Sequence, residues 1–511
     1  MSATITVFDG ADSIGGNKIH MDFDGHGLFF DFGQNYKRMG SFYQEFLQPR
    51  SNRGLHDFVE MGLLPKIAQY REDVCPEDLD LTGSRQLKVD AVFISHAHMD
   101  HIGHAGFLSL NIPFVATPMT VAMMKAMKDC GQKGTESDSV YGNLRKRMEG
   151  EGRVIYTPRT KDPYPGRDFV LTESASAELE DFWKKSMTSR DIEAGEFLKQ
   201  DSLDFEFQSF EVDHSIYGAT AYAVDTSSGW VVYTGDLRAH GRYRQRTLDF
   251  VQKAKGLEPA MLIIEGTRTS RAEQGDNQSE TRVKQTCLKA VEQEPKLVIA
   301  DFGPRNFERL DSFMEIAQGT ERRLVITKKD AYYLQSIQCV DGVDRMKGVS
   351  VYGALKAKET SVEEAACECL RAEVLDPKDI AREPDRYILC FSFYDMGNLL
   401  DIKHKGGTYI YSSSEAYSEE QIIDFRRLAN WLHLFELKTK GFWMTGAEGA
   451  EEPNFDREYH ASGHISTEDL IQIIKEISPR KVMPVHTEDP RPFSRAGCDL
   501  ALPRPGVPID F

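Results

Sequence analysis

Short apolar runs recur along this chain, and most of them end in a polar or charged residue followed by a turn. ITVF, LFF, AVFI, ATAYAV, WVVY and MLII are of this kind, and unbroken runs of this length predict strands covered on both faces. Between Glu206 and Val212 the period is two, a further strand. From about Glu280 the pattern changes to helix, strand, helix, strand. Val298-Ile299-Ala300 precedes Gly303, and after it Leu310, Phe313, Met314 and Ala317 share one helical face. Leu324 to Ile326, Tyr387 to Phe391 and Thr408 to Ser412 repeat the theme, which predicts an open α/β domain. Near the end, Leu470, Ile473, Ile474 and Ile477 predict an amphipathic helix with Ser466 and Asp469 in capping positions, and KVMPV predicts one more strand.

Less regular stretches lie between these. Residues 34–87 read as an insertion packed over the site, the segment after His101 as a helix to Leu110, and 118–153 as a charged helical lid. TGAEGAE, 445–451, reads as a linker returning to the first domain, and the Pro-rich tail after Pro490 as extended chain. The domain limits that follow are 1–279, 280–442 and 443–511, the outer two segments forming one domain with the middle inserted.

What changes the picture is the residue at each strand end. His96, His98, Asp100 and His101 crowd into HAHMDH directly after the run that ends at Ile94. Imidazole nitrogens and a carboxylate beside a buried strand need a cation, and this many donors suffice for two adjacent ions, zinc or manganese. The pattern recurs at Asp213-His214, at Asp236 after WVVYTG, at Glu265 after MLII and at His486 after KVMPV. Asp31, after LFF, either forms a turn or orients a metal-binding histidine, and the recurring pattern favours the second. His460 and His464 sit in HASGH. Two metals that share a carboxylate provide a nucleophile at neutral pH and neutralise a phosphoryl oxygen during in-line attack, so the chemistry to expect is hydrolysis.

Composition narrows this further. The chain has 511 residues with 40% apolar content and a net charge of −18, which suits two domains and excludes a protein that coats nucleic acid with a wholly cationic surface. Arg238, Arg242, Arg244 and Arg246, with Arg268 and Arg271 beyond, form a local basic cluster that is a candidate for gripping phosphate. Ser412, Ser413 and Ser414 after a strand are a weaker candidate. No Walker or dinucleotide fingerprint assigns a nucleotide cofactor. The eight cysteines are scattered, no run is long enough for a membrane span, and MSATITVFDG lacks the features of a signal peptide. A reduced, cytoplasmic protein is expected.

HAHMDH, VDHSIYGA, YTGDL, FFDFG, and the late SGH and PVH together resemble the motifs of metallo-β-lactamase-fold proteins of the β-CASP group, and within it ribonuclease J and its archaeal relatives. The resemblance covers nearly the whole chain. It implies an αββα sandwich with an inserted α/β β-CASP domain that closes over the site and lets a single strand thread between the two. It implies one ion on His96, His98 and His214, a second on Asp100, His101 and His486, and Asp236 shared. Asp100 and Asp236 then act in catalysis with His464, which faces the scissile phosphate beside Ser462 and Gly463. Asp31 and Glu265 would support the ligands, and Ser413 and Arg268 would contact substrate. The implied function is a two-metal ribonuclease on single-stranded RNA, 5′-to-3′ exonuclease first and endonuclease second, with zinc preferred to manganese. Single-stranded DNA is a second substrate class, no membrane is involved, and a homodimer is compatible. His104 departs from the pattern and is expected to be structural. The insertions at 34–88 and 118–165 are longer than in bacterial ribonuclease J, and few residues follow His486, so no separate C-terminal domain is expected within this sequence. Two other readings stand beside this one, a metallo-hydrolase of small esters, lactones or thioesters, and a non-catalytic β-CASP scaffold.

Overall fold

The computed structural model describes residues 3–511 other than 45, 132–133, 271–276, 304, 371, 416–418 and 448, together with all side chains except those of 366–370 and 419. It divides into two compact units. The first comprises 1–239, 243–274 and 464–511, and the second 240–242 and 275–463.

The first unit is built on two mixed sheets. One runs, edge to edge, through Phe197–Leu198, Phe169–Leu171, Phe114–Ala116, Ala91–Phe93, His26–Phe30, Lys18–Phe23, Thr4–Asp9 and Pro508–Asp510. The other runs through Phe207–Glu211, Thr220–Val224, Val231–Tyr233, Met261–Glu265, Lys481–Val485 and Asp499–Leu500. Ile5, Phe30 and Phe93 of the first sheet share a core with Tyr222, Tyr233, Ile263 and Met483 of the second, which is why these runs carry no polar alternation. The far face of the second sheet is covered by helices Arg244–Gly256 and Thr467–Ile477, through Phe250, Val251, Leu470 and Ile474. On the first sheet, Trp183 of helix Ala177–Lys184 meets Phe169 edge-on at 5.3 Å. The order of layers is helix, sheet, sheet, helix, an αββα sandwich.

The second unit carries a seven-stranded sheet in the order Glu373–Leu375, Val349–Tyr352, Arg323–Ile326, Tyr387–Cys390, Val298–Asp301, Gly407–Tyr411, Leu437–Lys440. Every described pairing in it is parallel. Arg309, fully buried, ties its layers together. Its guanidinium donates to Glu280 at 3.1 Å, to the Ser412 carbonyl at 2.6 Å and to the Tyr459 carbonyl at 3.3 Å.

Several expected elements take another form. The helix after His101 is a single turn, Met99–Ile102, followed by a 3-10 turn, Ala105–Phe107. A Cβ at Gly106 would lie 2.4 Å from the Thr135 carbonyl, so the chain there is packed backbone to backbone and cannot continue as a helix. The helix expected over 118–153 ends at Asp129, and EGEGR lies in a hairpin of Lys146–Met148 with Glu151–Tyr156. Buried Met123, Met124 and Lys125 make Pro118–Asp129 a core helix and no lid. TGAEGAE connects the paired strands Phe442–Thr445 and Glu452–Phe455, whose Phe455 packs on Phe425, so this segment belongs to the second unit. The extended tail also pairs, since Asp499–Leu500 joins one sheet of the first unit and Pro508–Asp510 pairs with Thr4–Asp9 in the other. Residues 34–87 fold as short helical turns, among them Tyr36–Gly40 and His56–Glu60, within the first unit.

Asp301 ends one strand of the second unit, and its carboxylate accepts the hydroxyl of Tyr409. Burial raises this carboxyl from 3.8 to about 7, against the Tyr409 hydrogen bond and with the help of Asp395. An acid with a raised folded-state value favours the fold while protonated. That contribution is complete below about pH 4 and is lost as pH rises to about 7. Asp301→Asn should therefore raise Tm at pH 8 relative to the parent and change it far less at pH 4. Equal shifts at the two pH values would refute this assignment.

Candidate metal centre

Several candidate site residues of the first unit sit at strand ends, while Asp100 and His101 lie in the helical turn Met99–Ile102 and His214 in the loop after Phe207–Glu211. Asp31 follows His26–Phe30, His96 lies just past Ala91–Phe93, Asp236 just past Val231–Tyr233, and His486 follows Lys481–Val485. Asp31 and His486 hold φ of +54° and +53°, a left-handed conformation that costs a side-chain-bearing residue energy and turns the chain out of its strand. Backbone bonds hold both turns, from Asp31 N–H to the Phe93 carbonyl at 2.9 Å and from His486 N–H to the Gly10 carbonyl at 2.7 Å. Asp100 is seated against Gly33, where a Cβ would come within 1.7 Å of the Asp100 carbonyl.

Three groups of donor atoms converge. In the first, Nε2 of His96 lies 3.0 Å, and Nε2 of His214 3.1 Å, from Nδ1 of His98. One Nδ1 has a single in-plane position for a proton, so these two contacts are not both ordinary hydrogen bonds. Zinc–nitrogen bonds of about 2.0–2.1 Å set tetrahedral nitrogens about 3.3 Å apart, close to what is seen. In the second, Nε2 of His486 lies 3.2 Å from Asp100 Oδ2, and Nε2 of His101 lies 3.1 Å from Asp236 Oδ2. Asp236 Oδ2 is also 3.8 Å from His96 Nε2 and 3.9 Å from His214 Nε2, so this one carboxylate reaches both groups. Its Oδ1 is buried without a hydrogen-bond partner among the described residues and lies 3.8 Å from His486 Nε2. The third group joins Asp236 and Glu265 to His464, whose Nδ1 sits 3.1 Å from Glu265 Oε2 and 3.6 Å from Asp236 Oδ2. A mixed nitrogen and oxygen set with an orphaned carboxylate oxygen at its centre fits divalent cations.

The electrostatics agree with that fit at His96 and Asp236, while at His101 burial is outweighed by Asp236, Asp100 and Asp31, which raise the imidazole well above its usual range. Burial, and then the neighbouring His101, His214 and His98, push His96 far below the usual imidazole range, which keeps it neutral with a lone pair to give. Burial opposes ionisation of Asp236, but His101, His486 and His464 hold its carboxyl well below the usual range. Burial likewise works against charge on His464, and Glu265 and Asp236 outweigh it to raise the imidazole to about 9.

A second layer fixes the ligands. Asp31 Oδ2 accepts from His101 Nδ1 at 2.7 Å, from Ser95 Oγ at 2.7 Å and from the Tyr233 hydroxyl at 2.6 Å. Asn17 donates to that hydroxyl at 3.0 Å. Ser95 Oγ also lies 3.0 Å from His96 Nδ1, and Thr267 Oγ1 lies 2.9 Å from His486 Nδ1. Glu265 Oε1 accepts the Leu237 N–H at 2.8 Å. Sequence reasoning found Asp31 and Glu265 but missed Ser95, Tyr233, Asn17 and Thr267. The available signal was position, since Ser95 and Tyr233 flank the strand ends that carry ligands.

The other candidates sort differently. Arg268, half-buried, donates to the His464 carbonyl at 3.4 Å. Ser462, Gly463 and Ser413 belong to the second unit, where the Ser462 carbonyl lies 3.0 Å from His240 Nε2. His460 is in that unit too and in none of the three groups. His104 is buried edge-on against Phe58 at 5.5 Å, a packing role. Three arginines of the basic cluster are paired with carboxylates: Arg238 is buried on Asp213 at 3.2 Å, Arg242 pairs with Glu315 at 3.0 Å and Arg246 with Glu211 at 3.3 Å. Arg271 lies outside the described residues.

Comparison with known proteins places this geometry. Residues 62–299 match the metallo-beta-lactamase superfamily, and residues 457–491 match the Zn-dependent metallo-hydrolase RNA specificity domain. Ribonuclease J of Mycoplasma genitalium is 21% identical over 417 residues, covering 79% of this chain and 58% of that protein. Ribonuclease J of Helicobacter pylori is 19% identical over 492 residues, with 95% and 56% covered. Ribonuclease J of Pyrococcus abyssi is 21% identical over 496 residues, with 95% and 89% covered. The chain thus spans little more than half the length of the two bacterial relatives. A solved protein of unknown function from Enterococcus faecalis V583 shares the fold over the full length of both chains, with a TM-score of 0.68 at 21% identity.

Two results should follow for metal binding. Chelator-treated protein should take up about two Zn²⁺ or Mn²⁺ per chain by elemental analysis, with a rise in Tm. Tyr233→Phe, which deletes one hydroxyl from the Asp31 network, should weaken metal affinity by roughly 10-fold to 100-fold while the fold is kept. An unchanged metal affinity in that variant would remove Tyr233 from the site.

Proposed function

Because the chain belongs to the metallo-β-lactamase superfamily and also carries the RNA specificity segment of zinc-dependent metallo-hydrolases, we propose that it is a ribonuclease that hydrolyses phosphodiester bonds of single-stranded RNA with two divalent metal ions. The observation that carries this reading is the convergence of three donor groups on Asp236. His96, His98 and His214 would hold one ion and Asp100, His101 and His486 the other, with Asp236 shared. Bound there, divalent ions supply Lewis acidity and a nucleophile at neutral pH. The second unit is the β-CASP insertion in this reading.

The chain's own residues do the rest. Glu265 takes His464 by Nδ1, which orients the ring and assigns Nε2 to the substrate, where it stabilises the scissile phosphate and protonates the leaving 3′ oxygen. Asp31 fixes the tautomer of His101 by accepting its Nδ1–H, so that Nε2 is left as donor to the ion. Asp213, held by Arg238, anchors the turn that carries His214. That the similar proteins are ribonucleases favours RNA over a small ester, and the His464–Glu265 pair can supply the proton that the leaving oxygen needs. We assign 5′-to-3′ exonuclease action as the main mode and endonuclease action as a second.

A time course on 5′-monophosphorylated, 5′-triphosphorylated and circular RNA tests this. Mononucleotides released from the monophosphorylated substrate are the expected result, and cutting of the circle would demonstrate the endonuclease mode. His98→Ala should abolish turnover, whereas intact RNA with rapid lactone hydrolysis would overturn the proposal. His464→Ala should lower kcat by roughly 10²-fold to 10⁴-fold with metal content unchanged. Loss of a metal ion in that variant would instead make His464 a ligand.

A further inference from the structure

The second unit has a cleft of about 260 Å³ at the carboxyl ends of three adjacent parallel strands, those ending at Asp301, Ile326 and Cys390. That is where open parallel sheets hold their ligands, since the chain diverges there into separate helices. The metal centre makes no use of it. Its lining is of two kinds. Phe302 lies stacked on Phe313, with ring centres 5.4 Å apart and planes 5° from parallel, so one wall is a braced aromatic face. Tyr394 also lines the cleft and is 87% exposed. It belongs to the turn Phe393–Asn398, which a Ser392–Asp395 capping box holds rigid. A large aromatic side chain presented to solvent from a fixed turn is a stacking platform.

The polar groups fit one kind of ligand. Asp330 spends Oδ2 on the N–H and hydroxyl of Thr327, and Asp395 spends Oδ2 on those of Ser392. Among the described residues neither Oδ1 has a hydrogen-bond partner, which leaves two acceptors and no donor on these carboxylates. Lys329 adds an exposed ammonium to the same lining. Two acceptors next to an aromatic face call for a flat ring with adjacent donors, and an ammonium calls for a phosphate. Guanine has neighbouring N1–H and N2–H₂ donors on its Watson–Crick edge. Adenine and cytosine place an acceptor nitrogen beside their amino group, and uracil has a single N–H.

We infer that this cleft is a subsite for an unpaired nucleobase, guanine before the others, with the base stacked at Tyr394 and its edge read by Asp330 and Asp395. The inference rests on the ribonuclease reading in that it names a base preference for the nucleic acid proposed as substrate.

The test is a titration of the full chain with guanosine, adenosine, cytidine and uridine, which lack the phosphate a metal centre would engage. Guanosine should bind saturably and about tenfold tighter than the other three. Tyr394→Ala should weaken it by roughly tenfold with Tm unchanged, since that side chain is exposed. Asp330→Asn should narrow the preference for guanosine. GMP should bind tighter than guanosine, and Lys329→Ala should erase that difference. No saturable binding, equal binding of the four nucleosides, or indifference to Tyr394→Ala would overturn the subsite. The two readings fail separately. Uncut RNA with guanosine still bound would remove the ribonuclease and leave the subsite, and cleaved RNA with no nucleoside bound would do the reverse.

Discussion

The first unit is organised by one electrostatic constraint, that imidazole and carboxylate groups are buried together around Asp236. Asp236 meets His101 at 3.1 Å and lies within 3.9 Å of His96, His214 and His486, yet among the described residues its Oδ1 accepts no hydrogen bond. Desolvating such a set would destabilise the fold unless a cation compensates it, because an unpaired buried charge costs several kcal/mol. The sandwich tolerates this by confining the mismatch to its strand ends. Behind them, Phe30, Phe93, Tyr222 and Ile263 form a fully apolar core. The strained backbone at Asp31 and His486 sits at the junction between the two regions. Aiming a side chain from a strand end at a shared point requires the chain to leave the strand at once, and a left-handed residue does so in one step.

Rigidity then comes from hydrogen bonds to the backs of the ligands. Asp31 is the hub, because one oxygen accepts from His101, Ser95 and Tyr233 together. Ser95 ties that hub to His96, and Tyr233, from the other sheet, links it to Asn17. The two sheets are thereby tied together beside the candidate ligands. Glu265 plays the matching part for His464 and for the loop at Leu237.

What the sequence disclosed and what it concealed follow from the range of the interactions. HAHMDH is legible because its donors are local, and the strands before Asp236, Glu265 and His486 are legible because double-sided burial leaves an unbroken apolar run. Tyr233 and Ser95 were not legible as site residues. A tyrosine in a strand reads as core, and only the sheet packing shows its hydroxyl meeting Asp31. The partners of Arg238, Arg242 and Arg246 were not legible either, since a local cluster of charge says nothing of the distant carboxylates at Asp213, Glu315 and Glu211. The helix expected after His101 failed on Gly106, whose close approach to the Thr135 carbonyl is a long-range contact. The tail was read only as extended chain because three-residue and two-residue edge strands carry too little pattern to register.

The same division explains how identity near 20% coexists with a shared fold over the length of the chain. A core position asks only for an apolar side chain of suitable volume, and many residues qualify. A ligand position asks for one or two residue types at a fixed backbone geometry, and its supporting hydroxyl or carboxylate is almost as restricted. Substitution in the sandwich and its insertions therefore costs less than substitution at the strand ends. The second unit shows the permissive side of this rule. Its parallel strands end in a cleft whose carboxylates are fixed by helix capping, a local device that needs no partner elsewhere in the fold. A recognition surface built from such self-contained turns can change its preference one turn at a time. The metal centre, where a single carboxylate serves three groups of donors, cannot change one ligand without disturbing the others.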